Sequence, residues 1–499
     1  MDDEVFVPYV FKNGSTLANQ NQSEKMFALA NIQPEKPFQD GKTPYTWDED
    51  GMGDLFSLLY KNDTRFCPET KSWYTFDGIC WRKDLEGILV SEKIKEFVAL
   101  LGLYCNEIED EDAKKKYKAF VKSMGDRRWR DRMMKDARGQ LRIGAEEFDA
   151  HPNLINCQNG TYDLKDYTFR EHDWRDFLTM CTNFEYTVQN VDCPRWRQFI
   201  AEVTCDGSAD KPNPGKADYL QRALGYTILG SSKEECMFIL HGSTTRNGKS
   251  TLLDAVNHML GDYSTAAPVG IICKKFNDGD AEAASPTLAG LKGRRMVTMS
   301  ENDSGSRLNE SIIKQLTGGE PVMARALYSS PITYTPQFTM WLSCNDLPAV
   351  RDDSLFASDR IRLIEFKRHF SNAEQDKDLK DYFKTQDAMK GIFAWLVQGY
   401  AKYKKYGLVM PDEMQKVTKV YADDNDLVLQ FLMEKCETCA DGGSKGKALY
   451  DAYKIWCKSN GYFVCNAKRF YAGIMKHPEW YTGKHMANGI VFDGLKLKG

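Results

Sequence analysis

At 499 residues the chain has room for about three domains of roughly 150 residues each, and 42% apolar residues are enough for ordinary globular cores. Charged residues reach 28%, mean hydropathy is −0.53 and no apolar run approaches the roughly 20 residues a bilayer requires, which excludes a helical membrane protein; the acidic start Met1-Asp2-Asp3-Glu4 lacks the order of a secretory signal, so a cytoplasmic location without a membrane partner is expected. The net charge of −4 argues against nucleic-acid binding by the chain's bulk charge alone, but residues 441–499 carry ten Lys/Arg against four Asp/Glu, which points to that tail as the part that meets phosphates.

In chain order, residues 1–50 are polar, rich in Asn, Gln and Pro and without sustained periodicity, and are expected to form a flexible arm. Short aromatic strands at 73–76 and 80–81 follow, then helical patterns to about residue 135. Short strands resume at Leu154-Ile155-Asn156, with Asn159-Gly160 as a hairpin turn, and a helical stretch runs from Pro194 to Thr227. The spacing predicts an α+β accessory domain over 51–230. Residues 231–370 alternate apolar strands with helices, the pattern of a three-layer α/β domain. Residues 371–440 read as helical, with Asp441-Gly442-Gly443 as a linker to a last domain over 441–499.

The fourteen cysteines form no dense framework and are read as reduced, mostly buried thiols. A zinc site at Cys436 and Cys439 with Cys457 and Cys465 is the alternative, disfavoured because structural zinc prefers two closely spaced ligand pairs. The basic run Arg127–Arg138 has Asp126, Asp131 and Asp136 interleaved. It reads as a solvated helix face, with a DNA-contacting collar as the alternative.

The sharpest chemical signal is the apolar run Met237–Leu240 entering Gly242-Ser243-Thr244-Thr245-Arg246-Asn247-Gly248-Lys249-Ser250-Thr251. Such a loop turns its backbone N–H groups, and the helix start behind them, toward phosphate oxygens. Lys249 is expected to reach the β- and γ-phosphates of ATP and the Ser250 hydroxyl to ligate Mg²⁺. Five residues separate Gly242 from Gly248, one more than the usual spacing, which leaves the role of Gly242 open. A second strand, Arg295–Ser300, ends in Glu301, placed to orient the attacking water and complete the metal site, with Asp303 in reserve. A third, Phe338–Cys344, ends at Asn345, a neutral amide suited to hold water or γ-phosphate. Between them a helix over 308–316 precedes Thr317-Gly318-Gly319-Glu320, and residues 326–334, with Ser329-Ser330-Pro331 at the turn, read as a β-hairpin.

This set resembles superfamily 3 helicases of the AAA+ class, and within them the phage and plasmid helicases related to the poxvirus helicase-primase and the satellite-phage primase-helicases. The residues that carry the resemblance are Asn247–Thr251, Ser300-Glu301, Lys314–Glu320 with Arg325, Trp341–Pro348 and Asp359–Phe366; outside the core, Leu154–Gly160 and Tyr219–Tyr226 look like the family's helicase-associated domain and its entry helix. The resemblance implies an AAA+ P-loop core and a homo-oligomeric ring, commonly a hexamer, with ATP between neighbours. It makes Arg360 the finger that reaches the next subunit's nucleotide, although the family's usual pair of arginines is here Asp359-Arg360 with Arg362 next. The hairpin then lines a central pore, with Arg325 on the backbone of single-stranded DNA and Tyr328 as a stacking or backbone contact.

The tail is legible without the family. An amphipathic helix over 448–459, a second over 467–477 exposing Lys468 and Arg469, and a strand pair across Asn488-Gly489 describe a winged helix for duplex DNA. Three functions compete: a helicase of phage or mobile-element replication moving on single-stranded and forked DNA; an origin-binding initiator that assembles without processive unwinding; and an AAA+ remodeller of proteins, which the pore hairpin and basic tail disfavour. No residue set for nucleotidyl transfer is evident, so any priming is assigned to a separate primase or polymerase.

Overall fold

The computed structural model describes residues 17–36, 45–188, 191–274, 286–300, 306–325, 331–351, 354–462, 464–486 and 489–498. Its first unit runs α1 (Leu17–Ile32), α2 (Glu49–Tyr60), a meander β1 (Thr64–Cys67), β2 (Ser72–Phe76) and β3 (Trp81–Asp84), then α3 (Ile88–Tyr104), α4 (Glu111–Ser123) and α5 (Arg127–Gln140). Its core gathers Leu29, Met52, Phe56, Phe97, Leu101, Tyr117 and Met133.

The flexible-arm expectation for 1–50 is overturned over residues 23–36 and 45–50. Leu29 is fully buried, with Met26 and Ile32 against the same core. Glu35 accepts a 2.6 Å hydrogen bond from the Tyr104 hydroxyl, and Trp47 stacks on Phe120 while donating to the Pro34 carbonyl. Met26, Leu29 and Ile32 are an i, i+3, i+6 stripe diluted by Asn and Gln, which hid the period.

Next come β4 (Leu154–Cys157), β5 (Gly160–Asp163) and β6 (Thr168–Arg170), followed by α6 (Pro194–Thr204) and α7 (Pro214–Thr227). Cys157 pairs with Gly160, so the hairpin turns on Gln158-Asn159 and Gly160 opens β5. These elements do not share the first unit's core. Ile155, Tyr162, Trp196, Phe199 and Leu220 bury together with the helices of the following α/β domain. The expected 51–230 domain is therefore two packing units, the second fused to the α/β domain. The fusion is hydrogen-bonded as well: Asn156 N donates to the Tyr263 hydroxyl, and the buried Arg295 donates to the His151 carbonyl and to Gln337 Oε1.

The α/β domain comprises β7 (Met237–His241), α8 (Lys249–Leu260), β8 (Ser264–Ala266), β9 (Cys273–Lys274), α9 (Pro286–Ala289), β10 (Met296–Ser300), β11 (Arg307–Leu308), α10 (Glu310–Thr317), β12 (Val322–Ala324), β13 (Ile332–Tyr334), β14 (Thr339–Cys344), α11 (Ser354–Ala357) and β15 (Ile361–Glu365). Five strands form one parallel sheet in the order β15-β7-β14-β10-β8, as the α/β reading expects. Alternate residues fill different cores: Phe238, Leu240 and Trp341 on one face, Met237, Ile239 and Leu342 on the other. Burial on both faces is why these strands read as continuous apolar runs.

Helices α12 (Leu379–Tyr382), α13 (Gln386–Tyr406) and α14 (Asp412–Asn425) follow, so the helical reading of 371–440 holds in kind. Helix α13 crosses α7 at a glycine pair. A Cβ on Gly225 would lie 2.2 Å from Tyr400 N, and one on Gly399 2.2 Å from the Gln221 carbonyl.

The last unit is α15 (Leu427–Lys435), β16 (Cys436–Lys445), α16 (Gly446–Ser459), α17 (Ala467–Met475), β17 (Gly483–Met486) and β18 (Ile490–Leu497), with the sheet ordered β16-β18-β17. The expected linker at 441–443 is a correction. Those residues belong to β16, whose register against β18 shifts between Thr438 and Gly443. Gly442 takes φ +87°, and a Cβ on Gly443 would meet the Phe492 carbonyl at 2.3 Å, so the glycines serve a bulge. Val428, Phe431 and Leu432 pack with Leu449, Trp456 and Phe470, which moves the boundary back to Asp426. None of the fourteen cysteines is disulfide-bonded, and Cys436 and Cys457 are buried.

Leu29→Ala is expected to cost the first unit about 2–5 kcal/mol, the range for emptying a buried leucine site, measured by urea unfolding followed through tryptophan fluorescence. A shift under about 0.5 kcal/mol, the size of an ordinary surface change, would restore the flexible-arm reading.

Candidate functional site

The site is built at the carboxyl ends of the parallel strands, where open α/β sheets present their ligand crevice. Strand β7 ends at His241, the chain loops out over 242–248, and α8 opens at Lys249. Gly248 is left-handed at φ +87°, and a Cβ there would lie 2.4 Å from Val203 Cγ1 of α6. Glycine is thus required both by the backbone turn and by the packing beneath it. Gly242 leaves no room for a side chain. A Cβ on it would lie 2.3 Å from Asn247 Nδ2 and 3.1 Å from Lys249 Nζ, and its carbonyl accepts from Lys249 Nζ at 3.2 Å.

Lys249 is the electrostatic centre. It is 4% exposed and donates to Asn345 Oδ1 at 2.9 Å. Burial pushes its pKa below the usual lysine value. Among the described residues its acceptors are neutral oxygens, so its charge is left for an anion. Ser243, Thr244, Thr245, Arg246 and Ser250 are exposed around it, while Asn247 is buried and Thr251 half-buried; Asn247 ties the loop to itself by donating to the Thr244 carbonyl. A loop with open N–H groups, a buried ammonium and an exposed hydroxyl at the helix start fits a nucleotide polyphosphate with Mg²⁺ in residue type and placement.

Sheet register aligns the other expected residues. Ser300 of β10 pairs with Ser343 of β14, Ser343 with Leu240, and Cys344 with His241. Asn345 thus leaves β14 directly beside the loop, and β10 ends one row short of it. Glu301 and Asp303 lie outside the described residues, as does Tyr328.

Arg360 sits at the opposite end of the sheet. Its carbonyl accepts from Met237 N, at the start of β7, while the loop leaves the far end of that strand five residues on, about 16 Å away at 3.3 Å per residue. Its guanidinium binds Thr317 Oγ1 at 2.6 Å and pairs with the Glu235 carboxylate. Arg362, two residues on, donates to the Leu408 carbonyl and is only 9% exposed, so it is the less accessible of the two arginines. Arg325 is exposed directly after β12, and β12 and β13 pair antiparallel with Ala324 opposite Ile332; the first paired strand thus lies before residue 326, where the expected hairpin begins, and residues 326–330, with most of the expected turn, lie outside the described residues. In the tail, Lys468 and Arg469 lie exposed in the first turn of α17. The Arg469 guanidinium turns back to the Arg351 carbonyl of the α/β domain, leaving Lys468 as the outward-facing member.

Sequence reading missed a strap. His369 Nδ1 donates to the Thr245 carbonyl at 2.8 Å, Phe370 N to the Arg246 carbonyl at 2.9 Å, and Arg246 reaches Asn372. It also missed His241, whose Nε2 donates to the Asn345 carbonyl at 3.0 Å and whose pKa burial holds below the ordinary value. Neither has a spacing signal: the strap depends on β15 returning beside β7, and the His241 contact on β14 pairing with β7.

Comparison with known proteins gives first a class. Residues 53–205 match the family model described as D5 N terminal like, and residues 240–360 match one described only as a family of unknown function. The chain is related in sequence to viral proteins named as helicases and to a poxvirus primase, the resemblance the motifs carry. It is 26% identical over 453 residues to "Putative helicase L207/L206" of Acanthamoeba polyphaga mimivirus, covering 83% of this chain and 46% of that protein. To "Primase D5" of Fowlpox virus it is 24% identical over 270 residues, covering 52% and 33%, and to "Putative helicase V13" of Sputnik virophage 26% identical over 198 residues, covering 37% and 25%. The chain thus spans half or less of these relatives' lengths. Among solved structures, the apo NrS-1 C terminal region aligns with a TM-score of 0.47 at 10% identity, over 90% of this chain and 99% of that one. Among the described residues no helix is long and apolar enough to cross a membrane.

Gly248→Ala is expected to weaken binding of a fluorescent ATP analogue at least about tenfold, the equivalent of 1.4 kcal/mol from left-handed strain and displacement by Val203, while the melting temperature falls only a few degrees. Adding Val203→Ala should recover part of the loss. Full affinity in the single variant would show that the turn can form without glycine.

Proposed function

We propose that this chain is the motor of a ring-forming superfamily 3 DNA helicase of the AAA+ class, hydrolysing ATP to move along single-stranded DNA at a replication fork. The observation that carries the reading is the buried Lys249 ammonium clamped to Asn345 at adjacent strand ends, with a fingerlike arginine at the far end of the same sheet. In this reading residues 242–251 cradle the nucleotide phosphates, Lys249 stabilises charge on the transferring phosphoryl group, and Ser250 with Glu301 holds Mg²⁺. Glu301 also orients the lytic water, and Asn345 senses the γ-phosphate. Mg²⁺ supplies charge neutralisation across the phosphates when bound.

Arg360 is too far from its own loop to touch the nucleotide there, so it acts on a neighbour's, in a homo-oligomeric ring, commonly a hexamer in this class. Arg325 and Tyr328 grip single-stranded DNA from the β12–β13 hairpin. The α16–α17–β17–β18 arrangement supports a winged helix whose Lys468, with Arg469 at the hinge to the α/β domain, meets duplex DNA. Relatives named as helicases support the same class. A separate primase or polymerase is the expected partner.

The decisive measurement is ATP-dependent strand displacement on a forked duplex. The wild-type chain should separate the strands, and Lys249→Ala should not, with ATP turnover reduced at least about a hundredfold, the order seen when one charge-stabilising donor is lost. DNA binding and ATP hydrolysis without strand displacement would favour an origin-binding initiator instead. No hydrolysis by the wild-type chain would sink both.

Arg360→Ala should lose hydrolysis while each subunit keeps its nucleotide affinity. Mixed with Lys249→Ala, it should regain part of the activity, because some interfaces then pair an intact loop with an intact arginine. Rings confirmed by light scattering that show no regain would mean that Arg360 only ties Glu235 to Thr317.

A further inference from the structure

The first unit carries a cationic surface that the motor reading leaves unused. Residues 114–138, spanning α4 and α5, contain eleven Lys and Arg against three Asp, in a chain whose net charge is −4. In α4, Lys115, Lys118 and Lys122 are all exposed and, at i, i+3 and i+7, share one face. The opposite face buries Tyr117 and Val121. In α5, Arg127, Arg128, Arg132 and Lys135 are exposed, while Met133 and Ala137 face the core. The two helices meet through Phe120 and Trp129, edge to face at 6.1 Å, which holds both cationic faces on one body.

The interleaved carboxylates do not neutralise this surface. Asp126 is used as the cap of α5, accepting from Arg128 N at 2.7 Å, and Asp110 caps α4 through Ala113 N. The remaining pairs are Lys114 with Glu111 at 3.5 Å, Arg127 with Asp131 at 3.7 Å, and Arg132 with Glu49. Lys115, Lys116, Lys118, Lys122, Arg128 and Lys135 take part in no ion pair among the described residues. The helix dipole accounts for Lys122 in the last turn of α4 but not for Lys115, Lys116 and Lys118, because its effect fades within a turn.

We infer that the α4–α5 surface binds the phosphodiester backbone of duplex DNA without reading sequence. Lys115 to Lys122 spans about 10 Å at 1.5 Å per residue, enough to meet two or three phosphates of one strand at 3.4 Å of axis each. Duplex rather than single strand follows from the aromatics. Base-stacking platforms need exposed rings, whereas Tyr117 is buried and Phe120 and Trp129 are turned against each other and the core. Lysine dominates the α4 face, a point charge suited to backbone contact rather than to bidentate reading of base edges. This contact needs neither ATP nor a ring, so it stands or falls separately from the motor reading.

The test uses the full chain and a fluorescent 30-base-pair duplex, with anisotropy followed across a salt series. Lys115→Gln/Lys118→Gln/Lys122→Gln should bind about tenfold or more weakly at low salt. Its log–log salt slope should be shallower by about 2 to 3, near 0.9 per lost phosphate contact, at an unchanged melting temperature. The arginine triple at the same positions should keep both affinity and slope, which separates charge from packing. The same chains are titrated against an unlabelled acidic protein and anionic phosphatidylserine vesicles. Unchanged duplex affinity and slope in the glutamine triple overturns the proposal. So does a loss confined to the vesicles or to the acidic protein, which would make the surface a membrane or protein contact instead.

Discussion

A lysine ammonium buried at the start of α8, beside the ends of parallel strands and with neutral oxygens as its acceptors among the described residues, is the interaction on which the rest of the candidate site depends. Desolvation disfavours its charge, as the lowered pKa of Lys249 reflects. Amide and carbonyl dipoles from Asn345 and Gly242 offset part of that penalty, and an entering anion offsets more. The surroundings must therefore hold Lys249 in place without neutralising it. Gly242 and Gly248 permit the close turns, α6 supports the loop from below through Val203, and the 369–372 strap holds it from above. A carboxylate salt-bridged to Lys249 would satisfy the ammonium and compete with any anion entering the loop.

The parallel sheet then divides the labour between its two ends. Every strand points its carboxyl end to the loop, so Asn345 and His241 meet there, and each strand's start lies on the far side with Arg360. One subunit cannot bring both ends to one nucleotide without breaking the sheet. The Arg360–Glu235–Thr317 contact gives the arginine a local resting place at the base of α10, near the β12–β13 hairpin. An arginine so held and only part-buried can exchange partners when another surface arrives, whereas Arg362, locked to the Leu408 carbonyl inside the core, cannot. Arg360 and Arg362 stand two residues apart and so face the same way; they differ because Arg360 precedes β15, whereas Arg362 lies within it.

Sequence made the core of this legible because its signals are local. Met237–Leu240 is an apolar run long enough for a buried strand, and Gly248-Lys249-Ser250 needs no partner to be recognised. The strand ending at Asn345 followed from the same logic, since polar residues closing an apolar run mark the edge of a sheet. What escaped was set by distance in the chain. His369 and Asn372 reach the loop only because β15 returns beside β7, more than a hundred residues later. Helix α1 was hidden by its own composition: three apolar residues among Asn and Gln bury well against α3 yet raise no periodic signal. Asp441-Gly442-Gly443 failed in the other direction, since residues that suit a linker also suit a bulge, and only pairing with β18 distinguishes them.

The charge pattern follows the same principle that local excess matters more than the total. A chain at −4 is repelled by DNA at long range, and the repulsion is weakened within a Debye length, about 8–10 Å at ordinary salt. Inside that range a helix face such as Lys115–Lys122 sees phosphates before it sees the acidic remainder of the protein. The tail around Lys468 presents a second such face at the other end of the chain. Contacts confined to these faces would be strong only where DNA lies against them, and the acidic body between would discourage the nucleic acid from collapsing elsewhere on the surface. Net negative charge is then compatible with binding DNA, and it restricts where the binding occurs.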